Sequence, residues 1–137
     1  MSAIAASTRR FSFSAGHRYQ VAQWSDAEND RVFGRLTVPH GHNYTLDVTV
    51  RGPIDAETGM AIDLGELKTV VGETIVERFD HADLNADPAF RGRVPTTENI
   101  AIVVWDLLLA KLGEERLWQV RVWEDPNLYV DYRGGVR

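Results

Sequence analysis

Two stretches of strict alternation limit what this chain can become. In "RFSFSAGHRY", Phe11, Phe13, Ala15, His17 and Tyr19 share one parity, opposite Ser12, Ser14 and Arg18. In "HGHNYTLDVTVRG", His40, His42, Tyr44, Leu46, Val48 and Val50 share one parity, opposite Asn43, Thr45, Asp47, Thr49 and Arg51. Successive side chains of a β-strand point to opposite faces, so each stretch reads as a strand with one buried face. Three of the four histidines lie on those apolar faces. If the strands pair antiparallel, the end of the first lies beside the start of the second, and the three imidazoles meet.

The remaining signals are helical and turn-like. Ser25 followed by Glu28 forms a capping box for a short helix inside a polar connection of about twenty residues, a length more often functional than idle. "GPIDAETG" reads as a turn, with a short strand around Met60 to Ile62. Asp63 and Glu66 open an amphipathic helix carrying Leu64, Leu67, Val71, Ile75 and Phe79 at three- and four-residue spacing. "PTTENIAIVVWDLLLAKLG" opens a second with cap candidates Thr96 and Thr97, carries Ile100, Val104, Leu107 and Leu108, and stops at Gly113. "LWQVRVWE" and "LYVDY" then form a last strand pair in which Trp118, Val120, Val122 and Glu124 share a face. The expected fold is α+β: one domain over residues 1–137, an antiparallel four-stranded sheet with two helices on one face, and a flexible tail at 1–9.

Composition narrows the function. A chain of 137 residues buries roughly two-thirds of its unfolded surface and needs neither disulfide nor metal merely to fold. A net charge of -5 argues against nucleic acid as a partner, since phosphate affinity comes from clustered Lys and Arg. The longest apolar run, "IAIVVWDLLLA", is interrupted by Asp106 and is shorter than the ~20 residues a membrane span requires, so no membrane role is expected. The N-terminal charges follow the apolar residues, the reverse of a secretory signal, which points to a cytoplasmic protein. With no cysteine, neither thiolate ligands nor a thiol nucleophile are available.

Several side chains are candidates for chemistry, each with a plainer alternative. His17, His40 and His42 suit Zn²⁺ with a fourth position left open, or they are ordinary hydrogen-bonded residues at strand ends. Asp80 beside His81 in "FDHADLN" is built like a general acid/base pair, or like a cationic helix C-terminus. Glu98 suits simple electrostatics at a helix N-terminus. Glu124 closes an apolar row, so its carboxylate either pairs with a neighbour or waits for a ligand with N–H groups.

Taken together, "FSFSAGHR", "ENDRVFG", "PHGHNYTLDVTVRGPIDAETGM", "DLGELK", "FDHADLN", "PTTENIA" and "VRVWEDPN", in that order, resemble the 6-pyruvoyltetrahydropterin synthase family, which includes the 6-carboxytetrahydropterin synthases. The resemblance implies that His17, His40 and His42 are zinc ligands and that Asp80 and His81 are the catalytic pair. It also implies that Thr96, Thr97 and Glu98 line a pterin pocket and that Glu124 anchors the pterin's amino-pyrimidine edge. The implied fold is the tunnelling fold, in which trimers close a barrel and two trimers stack into a hexamer with active sites between subunits.

One position departs from the family. Its usual base is a cysteine four residues before the first histidine of His-Gly-His, and Leu36 stands there. Three readings follow. The chain acts as a lyase on 7,8-dihydroneopterin triphosphate or a related reduced pterin with another base, such as Asp26, Glu28, Asp30 or the Asp80–His81 pair. Alternatively it cleaves dihydroneopterin by a retro-aldol reaction to 6-hydroxymethyl-dihydropterin, or it binds zinc and pterin without turnover.

Overall fold

The alternation of the first two stretches becomes a long antiparallel pair. The computed structural model describes residues 3–135, in which β1 (Ile4–His17) runs against β2 (His40–Pro53) from Ile4↔Pro53 to His17↔His40. The expected tail at 1–9 is therefore corrected from Ile4 onward; Met1 and Ser2 lie outside the described residues. The fourteen residues of β2 offer backbone groups along their whole length, and "IAASTRR", free of Gly and Pro, satisfies them. The hydroxyls of Thr8 and Thr49 meet at 2.7 Å across this extension.

β4 (Leu117–Asp125) pairs antiparallel with β2, and β5 (Leu128–Tyr132) folds back on β4. On the other side of β1 lies β3 (Ala82–Asp83), parallel to it, which makes the order β3-β1-β2-β4-β5. The sheet is thus mixed and five-stranded, where an antiparallel sheet of four strands was expected. A two-residue strand is too short to show alternation in a sequence. The strand expected at Met60–Ile62 is absent; this segment leaves a turn in which Asp55 accepts the N–H groups of Glu57 and Thr58.

Three helical bodies accompany the sheet. Ser25 caps α1 (Asp26–Phe33) by accepting from the Glu28 N–H. Asp63 caps α2 (Leu64–Val71), which continues through a π-helical turn (Gly72–Val76) into α3 (Glu77–Phe79). Thr96 caps α4 (Thr97–Leu112), which ends at Gly113 with φ 83°, a conformation open to glycine. Leu67, Val71, Ile75 and Phe79 are buried as the spacing predicts, but Leu64, in the first turn, is 52% exposed.

The α2–α3 body and α4 share one core with Phe13, Tyr44, Leu46, Val48, Val120 and Val122. Leu117, not Trp118, completes the β4 row, because the register shifts between Thr49 and Val50, opposite Gln119 and Leu117. Trp118 lies instead 3.7 Å beneath the Arg51 guanidinium. On the opposite face, Asp47 accepts from Arg10 at 2.8 Å and from the Trp123 indole at 3.0 Å. Held by these donors, with Arg10 foremost, the Asp47 carboxyl titrates below the usual range.

Candidate metal centre

The register that pairs His17 with His40 puts three imidazoles at one end of the core face. Ring centroids lie 4.5 Å apart for His17 and His40, 5.1 Å for His17 and His42, and 5.2 Å for His40 and His42. One ring nitrogen from each lies within 4.8 Å of the others. Gly41 allows this convergence, since a Cβ there would meet the Ala15 carbonyl oxygen at 3.1 Å.

Backbone carbonyls set the tautomers. His17 Nδ1 donates to Pro95 O at 2.7 Å, and His40 Nδ1 donates to Val38 O at 2.7 Å. The Nε2 lone pairs are left for a ligand, the arrangement in which outer partners orient metal-binding imidazoles. His17 Nε2 and His42 Nε2 are buried and have no hydrogen-bond partner. Burial pushes the His17 pKa down and so favours the neutral ring that metals require. Unpaired buried nitrogens converging on one point fit a divalent cation better than they fit ordinary strand-end residues.

Other groups surround this centre. Glu124, left unpaired where β4 shifts register against β5, brings Oε1 to 3.4 Å from His42 Nε2 with its side chain only 14% exposed. The Pro95 bond places the start of α4 beside His17, with Thr97 buried in its first turn. Tyr19 packs edge-on to His17 at 5.4 Å and tilted against His40 at 6.4 Å. Its phenol is pushed up to about 12 by burial, then by Glu124 and Glu98. Tyr44 is also raised by burial, and its hydroxyl lies 3.4 Å from His17 Nδ1.

Asp80 and His81 stand apart from this cluster. Asp80 Oδ1 accepts from the Ser14 N–H at 2.8 Å, and Oδ2 reaches His81 Nδ1 at 3.0 Å. These bonds, the Ser14 N–H first, hold the Asp80 carboxyl below its ordinary range. His81 has φ 61°, and its side chain is 84% exposed. It opens on a groove lined by Ser14, Ala15, Gly16, Gly41, His42 and Asn43, at the end of β1 and the start of β2. The sequence-predicted residues thus fall into two groups: the imidazoles with Glu124 and the α4 start, and the Asp80–His81 pair, which meets the first group only at the groove it shares with His42.

Position 36 carries no titratable side chain. Leu36 is 43% exposed, and its carbonyl accepts from the Tyr19 N–H at 2.8 Å. Of the substitute bases considered, Glu28 is engaged by Arg31, while Asp26 and Asp30 line a groove with Arg18 and Thr37. None belongs to the imidazole cluster. Sequence reasoning missed Tyr19 and Tyr44 as members of the site, although both share the parity of the histidines. The carbonyls of Pro95 and Val38 left no signal in the sequence.

A mixed sheet backed by helices, with three metal-competent imidazoles at the end of its longest strands, defines an α+β protein with a candidate divalent-metal centre. Among the described residues no helix is long and apolar enough to cross a membrane. The chain belongs to the 6-pyruvoyl tetrahydropterin synthase family, whose model matches residues 6–135, and thus to a family of pterin side-chain lyases. It is 45% identical over 130 residues to the human 6-pyruvoyl tetrahydrobiopterin synthase, covering 93% of this chain and 90% of that one. It is 32% identical over 123 residues to a dihydroneopterin monophosphate aldolase of Pyrococcus furiosus, covering 89% of this chain and 91% of the relative. The structure of Caenorhabditis elegans 6-pyruvoyl tetrahydropterin synthase superimposes with a TM-score of 0.91 at 34% identity, over 98% of each chain.

Proposed function

We propose that this chain is a zinc-dependent lyase acting on the side chain of 7,8-dihydroneopterin triphosphate or a related reduced pterin. The observation that carries the reading is the convergence of His17, His40 and His42, in which the buried Nε2 atoms of His17 and His42 have no hydrogen-bond partner. Zinc held by His17, His40 and His42 would supply a Lewis acid able to polarise a side-chain oxygen and lower the pKa of its proton. Glu124 accepts from the N–H groups of the amino-pyrimidine edge, a charge-assisted pair that rejects rings without those donors. Thr96, Thr97 and Glu98, at the start of α4, line the ring pocket beside His17.

Asp80 orients the His81 ring for proton transfer. His81 lies outside the imidazole cluster, and a site shared between two copies of the chain would bring the Asp80–His81 pair of one copy to the imidazoles of another. The edge of β5 and the length of β1 that the two-residue β3 leaves uncovered suit such assembly, and a trimeric barrel or a hexamer of two trimers would remove them.

A second reading is favoured by Leu36, which cannot abstract a carbon-bound proton, and by the likeness to an aldolase. Retro-aldol cleavage of dihydroneopterin to 6-hydroxymethyl-dihydropterin begins with removal of a hydroxyl proton, an easier task beside a Lewis acid. Incubation of the zinc-loaded protein with dihydroneopterin triphosphate and with dihydroneopterin, followed by mass spectrometry, separates the two. Loss of triphosphate is the expected outcome, release of a two-carbon fragment identifies the aldolase reaction, and unchanged substrates refute catalysis on this side chain.

A further inference from the structure

We propose that Tyr19 is a substrate-contacting residue of this site, whose phenol O–H donates to an oxygen on the side chain of the bound pterin. The inference rests on the pterin reading above and adds to it a residue that the family pattern does not assign.

Three observations place the phenol. Its ring is clamped edge-on between His17 at 5.4 Å and Phe33 at 5.7 Å, so it is held against the imidazoles rather than swinging in solvent. Its backbone N–H donates to the Leu36 carbonyl, which sets Tyr19 beside the segment that carries the family's thiol elsewhere. Among the described residues its hydroxyl has no hydrogen-bond partner, while the hydroxyl of Tyr44, deeper in the same cluster, lies against His17. A phenol clamped by its neighbours, partly buried and bonded to no protein atom is a donor waiting for a ligand acceptor.

The chemistry of the group limits its role. An ordinary phenol, with a pKa near ~10, is protonated at neutral pH and gives a hydrogen bond instead of taking a proton. Tyr19 therefore does not replace the thiol as base. Its O–H stabilises negative charge that develops on a side-chain oxygen as a neighbouring bond breaks, the task of a preorganised donor.

The test is a cycle between one protein hydroxyl and the ligand hydroxyls. Zinc-loaded wild-type protein and Tyr19→Phe are titrated with neopterin, which carries the trihydroxypropyl chain, and with 6-methylpterin, which lacks it. Phenylalanine keeps the ring and its contacts, and metal content is measured on both proteins. The expected result is a loss of about fivefold in neopterin affinity with 6-methylpterin affinity and zinc content unchanged, the size of one neutral hydrogen bond. Equal loss for both ligands, or no loss for either, overturns the proposal. Failure of the wild-type protein to bind either ligand would instead remove the pterin reading and this inference with it.

Discussion

Replacing Glu124 with Gln tests the pterin reading at the residue most specific to it. Glu124 is only 14% exposed and stands 3.4 Å from His42 Nε2, so its carboxylate lies at the border of the imidazole cluster. A pterin edge presenting two N–H donors would use both carboxylate oxygens. Glutamine has the same length but offers one acceptor and turns the other position into an N–H that opposes a ligand N–H. A hydrogen bond to a charged group is worth about 1.5–3 kcal/mol, so losing one and opposing two donors costs about 3 kcal/mol, or about 100-fold in Kd. Neopterin titration followed by ring fluorescence measures the change, with metal content as the control. If Glu124→Gln binds neopterin within roughly threefold of wild type, an amount too small for a lost charged bond, the anchoring role is wrong. If metal content falls instead, the carboxylate serves the ion rather than the ring.

Three further outcomes follow from the geometry. His42→Ala removes one of three converging ligands, so the purified protein should drop well below one zinc per chain by elemental analysis; retention of a full complement would show that the ion is held elsewhere. Leu36→Cys introduces a thiol where the backbone is already fixed by the Tyr19 N–H, and triphosphate elimination should rise at least about tenfold; no gain with zinc still bound would place position 36 away from the reacting carbon. Asp47→Ala leaves the Trp123 indole N–H without its acceptor and should cost about 2 kcal/mol in urea unfolding at neutral pH and fixed protein concentration. Because Arg10 and Trp123 hold the folded Asp47 pKa down, its contribution is full above the unfolded value near 3.8 and fades as pH falls through the lower folded value. A difference between wild type and Asp47→Ala that persists unchanged well below pH ~3 would contradict this linkage.

Much of this architecture is legible in the chain because it rests on local patterns. Parity alone puts His17, His40 and His42 on one face, and side-chain oxygens at Ser25, Asp63 and Thr96 mark helix starts that the structure reproduces. Features that depend on neighbours distant in sequence are not legible. β3 has two residues and exists only because it lies beside β1. Leu117 replaces Trp118 in the core because β4 gains a residue against β2, which strict alternation cannot anticipate. The run from Ile4 to Arg10 looks like a tail until the length of β2 is known. At the site, the imidazoles could be read from spacing, but the carbonyls that orient them belong to Pro95 and Val38, and backbone acceptors carry no residue signature.

The carboxylate near His42 projects from an irregularity in β4, whereas all three imidazoles hang from β1 and β2. Glu124 and the imidazoles therefore stand on separate pieces of scaffold. If Glu124 anchors the ring as proposed, an exchange at residue 124 would alter the choice of heterocycle while the strands that carry the imidazoles stay in place.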